Sequence, residues 1–132
     1  MACRNLIRRH FAEQLIRPHG LVGRWIIGPL WNRRNRVLND KTLQALRLRE
    51  HEQVLEIGFG GGRLLAQMAK IVTHGHLSGL DASPIMVNRV RRKFQALVYK
   101  GIMDIRLGSA EKLPFTDSAF DKVASVNAIF YW

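Results

Sequence analysis

The spacing of apolar positions changes partway along the chain. Over residues 5–16, Ile7, Phe11 and Leu15 recur every four positions, as on one face of a helix, with Arg8, Arg9 and Glu13 off that face. Pro18-His19-Gly20 breaks the pattern. The stretch GLVGRWIIGPLW is apolar but short, and Arg24, Gly28 and Pro29 interrupt it, so it reads as an interfacial or packing segment. After the basic run NRRNR, Leu38, Leu43 and Leu46 predict one more short helix.

From Glu52 onward, short β-favouring runs alternate with helical ones. Gln53–Ile57 is a strand ending in glycines, and Leu64, Leu65, Met68, Ile71 and Val72 follow at helical spacing. Residues 76–80 form a second strand. Ser83 then caps, and Pro84 opens, a helix striped by Met86, Val90, Phe94 and Leu97. Met103–Leu107 is a third strand, a loop with Pro114 and Asp117 follows, and residues 120–126 are a fourth. Such alternation implies an α/β fold with a parallel sheet covered on both faces. It divides the chain into a basic helical segment, residues 1–50, and an α/β domain, residues 51–132.

A length of 132 residues suits one hydrophobic core, and 47% apolar with 23% charged residues is an ordinary globular composition, so folding should require neither metal nor disulfide. Cys3 is the single cysteine, which excludes an internal disulfide and suits a cytoplasmic protein. The first residues lack the apolar stretch of a secretory signal, and no run approaches the length of a membrane span. Charge is unevenly distributed. Residues 1–50 hold 11 Lys/Arg against 3 Asp/Glu, and the remainder 10 against 7, giving +11 in total. That block is either a solvated helical face or a weak contact for an anionic membrane or nucleic acid, centred on Arg33, Arg34 and Arg36.

Candidate chemistry concentrates in VLEIGFGGGRLL, where Glu56, Gly58, Gly60 and Gly62 give E-x-G-x-G-x-G across a strand-to-helix turn. Glycines permit positive φ and close approach of backbone to a ligand, and the start of the next helix offers free N–H groups to a carboxylate. A dinucleotide fingerprint would need glycine at position 63, which is Arg63, and no G-K-[ST] follows as in a P-loop. Glu56 at the strand end favours a cationic group rather than a pyrophosphate. Asp81, in GLDASPIM at the end of the second strand, can accept hydrogen bonds from ribose hydroxyls, or it prepares the helix cap as a turn residue. Met86 can cover an adenine face or simply pack in the core. The five histidines show no metal-binding spacing, and no general base stands out.

In order and spacing, VLEIGFGGG, LDASPIM, GSAEKLPFTDSAFD and SVNAIFYW resemble the first four motifs of class I S-adenosylmethionine-dependent methyltransferases, over about residues 50–132. The resemblance implies a Rossmann-like, doubly wound parallel sheet, here its first four strands in the order 3-2-1-4 of a seven-stranded 3-2-1-4-5-7-6 arrangement. It also implies in-line transfer of the cofactor's methyl group to a small-molecule acceptor. Glu56, Gly58 and Gly60, with Gly62 in the same turn, would hold the methionine end of S-adenosyl-L-methionine, and Asp81, followed by Ala82, the ribose. Ser109 and Ala110 would line the adenine edge, with Ser109 standing where the family often has Asp. Asn127 would face the methyl region. Ending past its fourth strand, the chain would expose that strand as an edge, inviting a homodimer. The rival readings are a catalytically incomplete cofactor-binding fragment and an interaction module acting through its basic arm.

Overall fold

The computed structural model describes residues 28–126, with side chains from residue 35 onward. The predicted helix at residues 5–16, most of the GLVGRWIIGPLW stretch and Asn127 lie outside the described residues. The chain falls into two compact units, residues 1–37 and 38–132. Of the first, the described part is the opening of a helix, α1 (Gly28–Leu46).

α1 is longer than the short helix predicted, because Gly28 and Pro29 open it rather than interrupt a packing segment. Proline is tolerated in the first turn, where its missing N–H leaves no intrahelical bond unmade. From residue 38 the helix belongs to the second unit, where Leu43 and Leu46, with Leu48 beyond, pack on the core.

That unit is built on four parallel strands, β1 (Gln53–Ile57), β2 (His76–Asp81), β3 (Met103–Leu107) and β4 (Lys122–Ser125), in the order β3-β2-β1-β4. β1 pairs Val54 with Leu77 on one side and with Lys122 on the other. Asp121 fixes the second register: its carboxylate accepts from Gln53 N at 2.7 Å, and its own N–H donates to Gln53 O at 2.8 Å.

Three helices follow the first strands: α2 (Arg63–Met68), α3 (Pro84–Lys93) and α4 (Gln95–Tyr99). They pack on the face carrying Val54, Leu77, Met103, Ile105 and Ala124, where Leu64, Leu65, Met68, Val87 and Val90 complete the main core. The stripe of Met86, Val90, Phe94 and Leu97 was expected on one continuous helix. The structure breaks that helix at Phe94 (φ −110°, ψ 23°) while keeping all four residues on the core. The predicted second helix likewise stops at Met68, and Ile71 and Val72 belong to the turn that follows.

The other face is not covered by a helix among the described residues. Leu55, Ile57 and Leu80 meet Ala110, Phe115 and Phe120 of the β3–β4 connection, with the two phenylalanine rings edge to face at 4.9 Å. Right-handed crossovers explain the change of face, since the chain steps outward from β1 to β3 and must then return past β1 to reach β4. β4 is shorter than the predicted 120–126, because Phe120 leaves the strand to cover this face.

Two glycines allow the close packing. A Cβ on Gly79 would lie 2.8 Å from the Phe59 ring and 2.9 Å from Ile105 Cδ1, and one on Gly75 would lie 2.0 Å from the Glu52 carbonyl oxygen. The first obstruction is side chain that can shift; the second is backbone, tied by the His76 N–H to Glu52 O bond of 3.1 Å. We therefore expect Gly75→Ala to destabilise the chain by about 1–3 kcal/mol or more, read by urea denaturation. An unchanged midpoint would contradict this account of how β1 meets β2.

Candidate functional site

The C-terminal ends of β1 and β4 flank the point where the strand order reverses, which is where open α/β sheets bind ligands. β1 runs straight into the turn 58–62. Gly58 (φ 72°), Gly60 (φ 51°) and Gly62 (φ 71°) adopt the left-handed conformation that glycine alone takes without strain. Gly58 N donates to Leu80 O at 2.7 Å and Gly62 N to Phe59 O at 2.9 Å, while Phe59 is buried beneath the turn.

These glycines divide the work. A Cβ on Gly62 would press on Phe94 at 3.1 Å and Val90 at 3.2 Å, so its smallness lets α2 sit close to α3. Added Cβ atoms on Gly60 and Gly61 would meet nothing within 4 Å among the described residues. Open space above bare backbone is the shape needed for close approach of a ligand.

Asp81 ties this turn to the end of β2. Its Oδ2 accepts from Gly60 N at 2.9 Å and its Oδ1 from Ser83 N at 2.9 Å. Ser83 in turn caps α3 by accepting from Met86 N at 3.4 Å, with Pro84 in the first helical turn. Each carboxylate oxygen has two acceptor positions, so one on each is left for a further donor. The turn role and the ligand role proposed for Asp81 from the sequence are therefore compatible.

Glu56 is 3% exposed, and its Oε2 has no hydrogen-bond partner among the described residues. Burial is the main reason its carboxyl is pushed up to about 8. The Leu65 backbone amide acts in the opposite direction, and the nearby negative charge of Asp81 adds to the rise. Among the described residues no ion pair reaches either carboxylate. A buried, unpartnered carboxyl beside a second acid is the environment that a cationic group would relieve.

The remaining sequence candidates are placed as follows. Ala82 is exposed between Asp81 and Ser83, and Met86 is half-buried against the main core. Gly108 N donates to Asp81 O at 3.0 Å, bringing the end of β3 beside the end of β2. Ser109 follows, exposed, its Oγ accepting from Glu111 N at 3.2 Å, and Ala110 packs on the Leu55, Ile57 and Leu80 cluster. Sequence reasoning missed Phe59, Gly79 and Gly108. The two glycines carry a signal, a small residue in a strand or just past its end, which marks close approach; a Cβ on Gly108 would lie 2.8 Å from Leu80 Cδ1, while Phe59 carries no such signal and is placed by its seat against Gly79.

Comparison with known proteins gives a consistent result. Residues 54–132 match the family described as methyltransferase domain. An uncharacterised methyltransferase of Bacillus subtilis, YdaC, is 36% identical over 107 residues, covering 81% of this chain and 57% of that protein. A demethylmenaquinone methyltransferase of Symbiobacterium thermophilum is 36% identical over 76 residues, covering 57% of this chain and 30% of that protein. Among solved structures, a SAM-dependent methyltransferase from Thiobacillus denitrificans in complex with S-adenosyl-L-homocysteine superposes with a TM-score of 0.55 at 29% identity, covering 70% of this chain and 36% of that one. The chain thus spans about half, or less, of the length of these relatives.

The state of Glu56 has a measurable effect. Between pH 4.5 and about 8 the folded chain holds a proton at Glu56 that the unfolded chain has released. Stability from this group is therefore complete below pH 4.5 and falls as pH rises, levelling off above about 8. Glu52, whose carboxyl is held low first by Lys122 and then by the Arg49 amide, acts with the opposite sign and below that window. Denaturation at successive pH values should show the decline in the native sequence and a flatter profile in Glu56→Gln. Equal slopes for the two would show that Glu56 is ionised when folded.

Proposed function

Because the chain belongs to the S-adenosylmethionine-dependent methyltransferase family of class I, we propose that it binds this cofactor over the turn 58–62 and serves methyl transfer to a small-molecule acceptor. The observation that carries the reading is the pairing of bare glycine backbone with two carboxyl groups, Glu56 and Asp81, that no cation among the described residues pairs with. Bound there, the cofactor supplies a methyl group already activated by its sulfonium.

The chain's own residues then bind and orient. Gly58 and Gly60 admit the methionine end, and Gly62 keeps α2 against α3 so that the turn holds its shape. Glu56 gives up its proton to carry the charge that faces the ammonium group. Asp81 offers its two spare acceptor positions to the ribose hydroxyls, while its bonds to Gly60 and Ser83 fix the distance between the methionine and ribose ends. Ala82 and Met86 are assigned to the same side as Asp81. Ser109 and Ala110 are assigned to the adenine side, and Asn127 to the methyl region. Holding the reactants in a near-attack arrangement is worth up to about 7–11 kcal/mol, so orientation alone accounts for a large part of such catalysis. The demethylmenaquinone methyltransferases among the relatives supply one example of a small-molecule acceptor.

Titration calorimetry with S-adenosylmethionine tests the cofactor assignment. Asp81→Ala should weaken binding by about 1.5–3 kcal/mol, the range for hydrogen bonds to a charged group, and Asp81→Asn by less. Repeating the titration in buffers of different ionisation enthalpy at pH 7 should reveal a proton released on binding, absent in Glu56→Gln. No saturable binding, or an affinity indifferent to Asp81, would refute the reading.

β4 is the edge of the sheet among the described residues, and its Val123 is 54% exposed. An open apolar edge is a template for strand pairing, so we propose that two copies associate through β4. Light scattering should show a concentration-dependent dimer that Val123→Lys weakens. A monomer at every concentration would exclude this pairing.

A further inference from the structure

At the opposite end of the strands from the glycine turn, two connections meet. His74 N donates to Glu50 O at 2.9 Å and His76 N to Glu52 O at 3.1 Å, so the segment before β2 is laced to the segment before β1. This lacing brings together three exposed side chains that are 24 positions apart at the extremes, Glu50, His51 and His74. Glu50 contacts both rings, with Oε1 3.1 Å from His51 Nε2 and Oε2 3.4 Å from His74 Nδ1. The ring centroids are 5.1 Å apart, and one donor atom from each residue lies within 4.8 Å of the others.

We propose that Glu50, His51 and His74 form a binding site for a divalent transition-metal ion of the zinc type. The donor set, two imidazoles and a carboxylate, is one that zinc accepts with a fourth position left to water. Ligand bonds of about 2.0–2.2 Å in a tetrahedron place neighbouring donors about 3.3–3.6 Å apart; the three donor atoms lie within 4.8 Å of one another, so these exposed side chains would draw in by about 1–1.5 Å at most around an ion. The backbone bond between His74 and Glu50 sets the two segments in place before any ion arrives, which lowers the ordering cost.

The surrounding charges leave Glu50 available. Glu52, the other acid of this segment, is engaged by Lys122 Nζ at 2.8 Å and by Arg49 N at 2.8 Å. One polar neighbour competes: Thr73 Oγ1 lies 3.1 Å from the same His74 Nδ1, and this hydrogen bond is given up when the nitrogen binds a metal. The ion would fasten the α2–β2 connection to the start of β1, away from the cofactor turn, and so act on stability rather than on the cofactor's chemistry.

The test is calorimetric titration of Zn²⁺ into the full chain, prepared with a chelator and without a histidine tag, alongside thermal unfolding and the visible spectrum of the Co²⁺-loaded protein. One saturable site in the submillimolar range, a raised melting temperature and the intense visible bands of tetrahedral cobalt are expected. The double variant His51→Ala/His74→Ala should lose about tenfold or more in affinity with an unchanged circular dichroism spectrum, and Glu50→Gln should lose part of it. Absence of saturable binding would overturn the proposal. So would equal affinity in the double variant, which would place the metal elsewhere, at His10 or His19 for instance.

Discussion

The arrangement depends on one carboxylate that accepts two backbone amides. Asp81 stands where β2 ends and reaches back to Gly60 in the turn after β1 and forward to Ser83 at the cap of α3. Backbone N–H groups at such places have no partner in the sheet or the helix, and leaving them unmet in a partly buried position is costly. A single acidic side chain thus satisfies both and sets the positions of two strand ends, one glycine turn and one helix. The open surface above Gly60 and Gly61 follows from that placement, because the turn is pulled toward β2 rather than left to fold over the strand ends.

Glu56 represents the opposite electrostatic situation. Asp81 is half-buried and well supplied with donors, whereas Glu56 lies within the core-facing side of β1 with one oxygen unpartnered. The two acids therefore differ in how their oxygens are satisfied, and burial raises the pKa of Glu56. A cation bound at this position would be linked to release of the Glu56 proton, and its charge would offset the cost of keeping an acid in the core.

The sheet was legible in the sequence because the strand runs are short, three of them hold Val or Ile, and glycine adjoins the first three; the glycine turn was legible because positive φ leaves few other residues to choose from. Helix ends were less so. Pro29 carries the same signal whether it breaks an apolar stretch or opens a helix, and the stripe through Phe94 continues across a backbone break because both short helices lie on one core. The turn between Glu56 and Asp81 was readable as spacing, while the seat of Phe59 against Gly79 was not, since strand partners are set by topology. The meeting of His51 and His74 has the same origin: 23 positions separate them in sequence, and only the parallel register of β1 with β2 brings them together.

The register of β1 has a kinetic consequence. β2 and β3 each follow the preceding strand after one helical crossover, so those pairings close comparatively short loops. The bond between Gln53 N and the Asp121 carboxylate joins residues 68 positions apart. Loop-closure entropy grows with that separation, and native contacts that span it repay the cost late. The β1–β4 pairing therefore closes the longest loop among the described strands, and until it forms β1 presents an open, buried-type edge to any other chain nearby.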